Sequence, residues 1–254
     1  MSALRAFGGE VEAVFLDVGG VFHLPAPEIV GEALRRVGLA DPLDPAVLDR
    51  AHYAGAKALE VWPTGDVRLG LWAAYERAYA LAAGVAEERL EEAIAELDAA
   101  FAVDGVWSRL APGSLDGLRA LADTGVTLAI VSNSDGTLEG RLRAEGICQV
   151  GPGDGVPMAI VIDSDVVGVA KPDPAIFHLA LEACAVAPER ALHIGDTVGA
   201  DVDGAVAAGV RPIHLDPYGF CTDSSHLHAP DLSTIAELLG GSRRLPPGLR
   251  RAPP

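Results

Sequence analysis

An α/β fold built on a parallel sheet is what this sequence predicts, and three observations predict it. Short apolar runs recur along the chain, at 11–16, 126–131, 158–162, 191–194 and 210–215. From the second run onward, stretches of helical pattern separate them, and such alternation makes a parallel sheet with helices on both faces. The first four runs end on polar residues: Asp17, then Ser132 to Ser134, then Asp163 to Asp165, then Gly195 with Asp196. The carboxyl ends of strands are where open α/β sheets place their sites. Pro212, in the fifth run, has no N–H for a ladder and suits an edge strand.

The alternation is interrupted once. Between Asp17 and a helical stretch near 114–123 no strand pattern stands out. The segment is rich in Ala and Leu, and breaks at Asp41-Pro42, at 62–65 and at 82–84 predict roughly four helices: 27–38, 45–60, 66–82 and 86–101. Leu69, Trp72, Ala73 and Ala80 fit one amphipathic face, which Glu76 interrupts. A helical unit fed from the active edge of a sheet is placed to act as a lid. The expected organisation is a core of 1–22 and 108–240, an α-helical cap inserted at 23–107, and a Pro- and Arg-rich tail at 241–254 that reads as disordered. No internal repeat is visible.

Composition narrows the function. The chain has 254 residues, half of them apolar and 22% charged, with a formal net charge of -17. That balance argues against nucleic acid and anionic membranes, which reward Lys and Arg. An anionic substrate must therefore be drawn in by a local site, with help from a cation. Cys148, Cys184 and Cys221 are odd in number and widely spaced, which suits a reducing compartment. No run approaches a membrane span, and the N-terminus lacks the apolar core of a signal peptide. The expectation is a cytoplasmic protein, monomeric or homodimeric.

Each polar strand end offers chemistry. Asp17 can ligate a cation, attack an electrophile or cap a loop. Ser132 and Asn133, in IVSNSDG, stand at a strand-to-helix junction that holds phosphate well or simply caps the helix. Lys171, in GVAKPDPAIF, is held on a proline-stiffened loop and can neutralise phosphate or clustered carboxylates. In HIGDTVGAD, Asp196 ends a strand and Asp201 follows at a helix start. Oxygen-only acid clusters favour Mg²⁺ over zinc.

Taken in order, Asp17, Ser132, Lys171-Pro172 and Gly195-Asp196-x4-Asp201 resemble the motifs of the haloacid dehalogenase-like hydrolase superfamily. The resemblance covers about residues 11–239 and is most specific in AKPDPAIF and HIGDTVGAD. It implies a Rossmann-like core with a helical cap of the first type. It also implies a Mg²⁺-dependent phosphatase of a small phosphorylated metabolite. Asp17 would be nucleophile and metal ligand, and the Gly19 carbonyl and Asp196 further ligands. Asp201 would lie in or near the metal shell. Ser132 and Asn133 would bind substrate, and Lys171 would steady Asp17 and the phosphate.

The sequence departs from that pattern at Gly19, where the family's phosphatases carry a second Asp as general acid. Such help is worth about 10²–10⁴-fold. Three readings follow. The leaving group needs little protonation, as with sugar-1-phosphates or acyl phosphates, or else His23 or His52 substitutes. Alternatively the chain is a 2-haloacid dehalogenase-type hydrolase, or a catalytically weak protein that binds phosphometabolites. Trp62, Trp72 and Trp107 read as cap packing. His214, Cys221, His226 and His228 match no zinc spacing and read as a solvated loop, with Tyr218 and Phe220 over its base.

Overall fold

The computed structural model describes residues 11–59, 68–240 and 248–249, with residues 68–71 described by backbone alone. β1 (Ala13–Leu16) is the first element of the described residues. A short strand β2 (His23–Pro25) follows, then helices α1 (Pro27–Arg36), α2 (Pro45–Ala58), α3 (Arg68–Ala83) and α4 (Leu90–Phe101), then β3 (Trp107–Leu110). The chain then alternates through α5 (Ser114–Asp123), β4 (Thr127–Ser132), α6 (Leu138–Ala144), β5 (Cys148–Val150), β6 (Val156–Met158), β7 (Val161–Asp163) and α7 (Ser164–Val167). It ends with α8 (Pro174–Cys184), β8 (Ala191–Gly195), α9 (Gly204–Ala207), β9 (Arg211–Leu215), β10 (Leu227–Ala229) and α10 (Leu232–Leu239).

Six of these strands form one sheet in the order β10-β9-β8-β1-β4-β7, and every pairing in it is parallel. Both of its faces are covered. Val14, Leu16, Ile130, Leu192 and Ile194 pack with Leu118, Leu121 and Ile235 on one side. Ala13, Phe15, Ala129 and Val131 pack with Ile176, Phe177 and Ala180 on the other. Alternate residues of one strand serve opposite faces, which is why these strands read as unbroken apolar runs.

Two strand expectations need correction. The run at 158–162 is two strands, because β6 pairs with β5 in a separate small sheet while β7 joins β4. Pro212 is not on an edge strand, since β9 lies between β8 and β10. The β10 ladder engages Ile213 to Leu215 only. β9 is therefore unpartnered on that side at Pro212, and the missing N–H is tolerated there.

The inserted helices gather around their own core, with Leu34, Leu48, Tyr75, Tyr79 and Leu97 at its centre. β2 and β3 are an antiparallel pair at its base that the apolar pattern did not announce; β2 begins at the expected 22/23 boundary and β3 crosses the one at 107/108. The face of α3 also differs from expectation. Tyr75, Glu76, Tyr79 and Ala80 are buried, while Trp72 is exposed and Glu76 does not interrupt the face but lies within it. The Leu69 side chain, Trp62 and most of the tail at 241–254 lie outside the described residues. Leu249 of that tail packs against the sheet's core. No described helix is long and apolar enough to cross a membrane.

Candidate active site

The carboxyl edge of the sheet brings the predicted residues together. Asp17 directly follows β1, Ser132 ends β4 and Asp196 directly follows β8. Lys171 sits just before α8, whose start is fixed by Pro174 and by Asp173, whose carboxylate accepts a bond from the Ala175 N–H. Caps of this kind contribute about 1 kcal/mol each. Asp17, Ser132, Lys171, Asp196 and Asp201 are all buried.

Lys171 is the hub. Its Nζ donates to Asp201 Oδ1 at 2.6 Å and lies 2.9 Å from Asp17 Oδ1. The second contact is a buried ion pair, so one ammonium is shared between two carboxylates. Burial works against the Lys171 cation, but Asp17 and Asp201 outweigh it and raise the ammonium to about 12. Burial raises the Asp17 carboxyl, Lys171 opposes it, and the Asp201 and Asp196 charges add to it; the result is about 6. Asp201 goes the other way. Burial disfavours its charge, yet Lys171 and His193 hold it well below the usual carboxylate range.

Asp201 is saturated. Besides Lys171, its Oδ1 accepts from His193 Nε2 at 2.9 Å, and its Oδ2 accepts from the Thr197 N–H and Oγ1 at 3.0 and 2.6 Å. These bonds suit a residue that orients Lys171 better than one that lies open to an ion. Asn133 also differs from expectation. Its Nδ2 donates to the Lys171 carbonyl at 3.0 Å and its Oδ1 accepts from the Lys171 N–H at 2.8 Å. Both ends of the side-chain amide therefore engage the lysine's backbone. Asp163, another polar strand end, caps α7 and accepts from the N–H groups of Gly136 and Leu138.

Two glycines follow Asp17 with opposite demands. A Cβ at Gly19 would meet nothing within 4 Å, whereas at Gly20 (φ +67) it would stand 2.2 Å from Asp196 Oδ2. The bonds that fold this loop use the Val18 carbonyl and the Gly20 N–H, not the Gly19 carbonyl.

The inserted helices reach into the site. His52, on α2, is buried and bonds through Nε2 to Asp196 Oδ2 at 3.0 Å and through Nδ1 to Tyr75 Oη at 2.9 Å. The neighbouring Tyr53 donates its hydroxyl to the Gly20 carbonyl at 2.7 Å. His23, the other histidine considered for the missing acid, instead bonds Glu145 at 2.6 Å. His193, Thr197 and Tyr53 were not foreseen. A histidine inside the buried run ALHIG was the one available signal.

Asp17, Asp196 and Asp201 each present an oxygen within 4.8 Å of the others. With Asp201 already saturated, Asp17 and Asp196 are the hard oxygen donors of this net-negative cluster, and they fit Mg²⁺.

A parallel α/β sheet with carboxylates and a lysine at its carboxyl edge, under a helical insertion, defines a class of hydrolase folds. This chain belongs to the haloacid dehalogenase-like hydrolases, whose family description matches residues 11–209. It is 36% identical over 174 residues to haloacid dehalogenase-like hydrolase domain-containing protein 3 of Bos taurus, covering 64% of this chain and 66% of that one. It is 39% identical over 92 residues to phosphoserine phosphatase of Thermus thermophilus, covering 36% of this chain and 34% of that one. These alignments span between a third and two thirds of the relatives' own length. Among solved structures, a dehalogenase in an intermediate complex matches with a TM-score of 0.56 at 19% identity, covering 92% of this chain and 99% of that one. At that identity the likeness shows the fold alone.

Proposed function

We propose that this protein is a Mg²⁺-dependent phosphatase of a small phosphorylated metabolite, working through an aspartyl-phosphate on Asp17. The observation that carries the reading is Asp17 at the end of β1, ion-paired to Lys171 and ringed by Asp196 and Asp201. Asp17, Asp196 and the Gly19 carbonyl would hold the metal, which when bound supplies charge neutralisation for a phosphate dianion. Asp17 attacks phosphorus and the bond to the leaving oxygen breaks. Lys171 cancels part of the repulsion between two anions. Ser132, buried at the end of β4, offers its hydroxyl to a phosphoryl oxygen. Asp201 and Asn133 hold Lys171 in place. A dehalogenase of this fold attacks carbon and has little use for the acids around Asp17.

Gly19 offers no acid, so substrates whose leaving group needs little protonation are favoured: sugar-1-phosphates and acyl phosphates. A second reading of this step rests on His52, which touches Asp196 from the cap and could protonate the leaving oxygen. The test is phosphate release, with Mg²⁺ and with EDTA, from sugar-1-phosphates and acetyl phosphate against sugar-6-phosphates. Turnover should need Mg²⁺ and vanish in Asp17→Asn. Folded, Mg²⁺-binding protein that releases no phosphate from any of these would sink the phosphatase reading. His52→Ala separates the two accounts of Gly19: if the histidine is the acid, sugar-6-phosphates lose far more than acetyl phosphate.

A further inference from the structure

The loop between β9 and β10 was expected to be solvated. It is not, for His214, Cys221, His226 and His228 are all buried. One ligand-type atom from each lies within 4.8 Å of those of the other three. The fold explains the convergence. His214 and His228 are register partners on adjacent parallel strands. His226 lies two residues before His228, hence on the same side of the strand. Cys221 enters from the connecting loop, where Asp216 pins the Phe220 and Cys221 N–H groups at 2.9 and 3.0 Å.

The outer hydrogen bonds fix which ring nitrogens face inward. His214 Nε2 is 3.0 Å from the Asp196 carbonyl, and His228 Nε2 is 2.8 Å from the Asp223 carbonyl. A carbonyl only accepts, so each Nε2 carries the hydrogen. In the neutral rings each Nδ1 is then a lone pair. The buried His228 Nδ1 lies 3.6 Å from Asp216 Oδ2, longer than an ordinary hydrogen bond. His226 turns Nδ1 toward Ser225 Oγ at 3.3 Å and Asp223 Oδ2 at 3.7 Å, which leaves its Nε2 for the centre. Three imidazoles oriented from outside by carbonyl, carboxylate or hydroxyl groups, with their free nitrogens inward, is the arrangement of metal-ligating histidines.

The spacing agrees. Zinc bonds of about 2.0–2.1 Å to nitrogen and 2.3 Å to sulfur give tetrahedral edges of about 3.3–3.4 Å between nitrogens and about 3.6 Å from nitrogen to sulfur. His226 Nε2 is 3.4 Å from His214 Nδ1 and 3.8 Å from Cys221 Sγ. We propose that His214, Cys221, His226 and His228 form a structural zinc site that clips the β9–β10 loop to the sheet. Four protein donors of mixed imidazole and thiolate type select Zn²⁺ over Mg²⁺ and close the coordination sphere. The site differs in place and donors from the acid cluster at Asp17. It touches that cluster through His214, which holds the Asp196 carbonyl, so zinc would brace the turn that presents the Asp196 carboxylate.

The test is metal content, read without any activity. Protein grown with zinc and purified without chelator should hold about one zinc per chain after gel filtration. Cobalt loaded in its place should give intense tetrahedral d–d bands and a thiolate-to-cobalt charge-transfer band. Cys221→Ser should abolish the charge-transfer band, and His226→Gln should lower retained zinc at least tenfold. Asp17→Asn should leave the zinc unchanged. Folded wild-type protein that holds under a tenth of an equivalent after zinc loading overturns the proposal. So does an octahedral cobalt spectrum without a thiolate band, or zinc retention unchanged in both variants. If the variants do not fold, the wild-type cobalt spectrum decides alone.

Discussion

Gly19→Asp is the most informative single change. The backbone there can take a side chain, since a Cβ would meet nothing within 4 Å and Gly19 lies outside the left-handed region. Fold stability should therefore change by no more than about 1 kcal/mol, as at an ordinary unstrained position. The new carboxyl would stand two residues from Asp17, near Asp196 and Asp201. Those like charges would raise its pKa, which favours the protonated form a general acid needs. The gain available is about 10²–10⁴-fold, or roughly 3–5 kcal/mol off the barrier. It should fall on substrates with poor leaving groups. The assay is kcat/KM with saturating Mg²⁺ on a sugar-6-phosphate and on acetyl phosphate, for wild type and Gly19→Asp. The sugar-6-phosphate should rise by at least about a hundredfold and acetyl phosphate by less than about tenfold. A folded variant with an equal effect on both substrates would refute the claim that Gly19 marks a missing acid. The same comparison in a His52→Ala background removes the competing donor, and there the gain should be larger.

The remaining predictions are briefer. Gly20→Ala, by contrast, forces a Cβ to within 2.2 Å of Asp196 Oδ2 at positive φ; it should cost about 2 kcal/mol or more, seen as a lowered Tm and weakened Mg²⁺ binding by calorimetry. Asn133→Ala frees the Lys171 backbone and should lower kcat about tenfold or more with little change in KM; an unchanged kcat would remove Asn133 from the lysine's support. Because burial and the neighbouring acids raise the Asp17 carboxyl to about 6, a proton competes with Mg²⁺ below that pH. The rise in Tm on adding Mg²⁺ should be large at pH 7.5 and small at pH 5. Glu76 is raised from 4.5 to about 7, by burial and then by Asp98, so the folded state holds its proton more tightly than the unfolded chain. Stability is thus lost as pH rises from about 4.5 through 7, by at most about 3 kcal/mol. Glu76→Gln should raise Tm at pH 8 and leave it nearly unchanged at pH 4.5.

The strand ends were legible because the physics is local. A buried run that stops on an acid announces itself within a few residues, and Asp17, Ser132 and Asp196 fell where their runs predicted. The fold class followed from the same runs. What escaped depends on distance along the chain. His52 meets Asp196 across 144 positions, and no periodicity in α2 points there. Asn133 looked like a phosphate ligand because of the junction it occupies, but its amide is matched to the Lys171 backbone 38 residues on. β10 is a three-residue strand with a histidine at its middle, too short for an alternation to show. Without β10, neither Pro212's true surroundings nor the meeting of His228 with His214 could be read.

The site's own charge balance argues for the metal independently of any relative. Asp17, Asp196 and Asp201 lie buried around one ammonium, and a buried charge left without a partner costs several kcal/mol. Asp201 has escaped that cost by accepting four bonds, and Asp196 has His52. Asp17 has only the Lys171 ammonium, which it shares with Asp201, and burial, with the Asp201 and Asp196 charges, raises its carboxyl to about 6 despite that lysine. A carboxylate raised by burial and by two neighbouring acids gains from a second cation beside it. The hydrogen bonds thus give the acids different roles. Asp201 is neutralised and holds Lys171, while Asp17 shares that one ammonium and is shorter of positive charge.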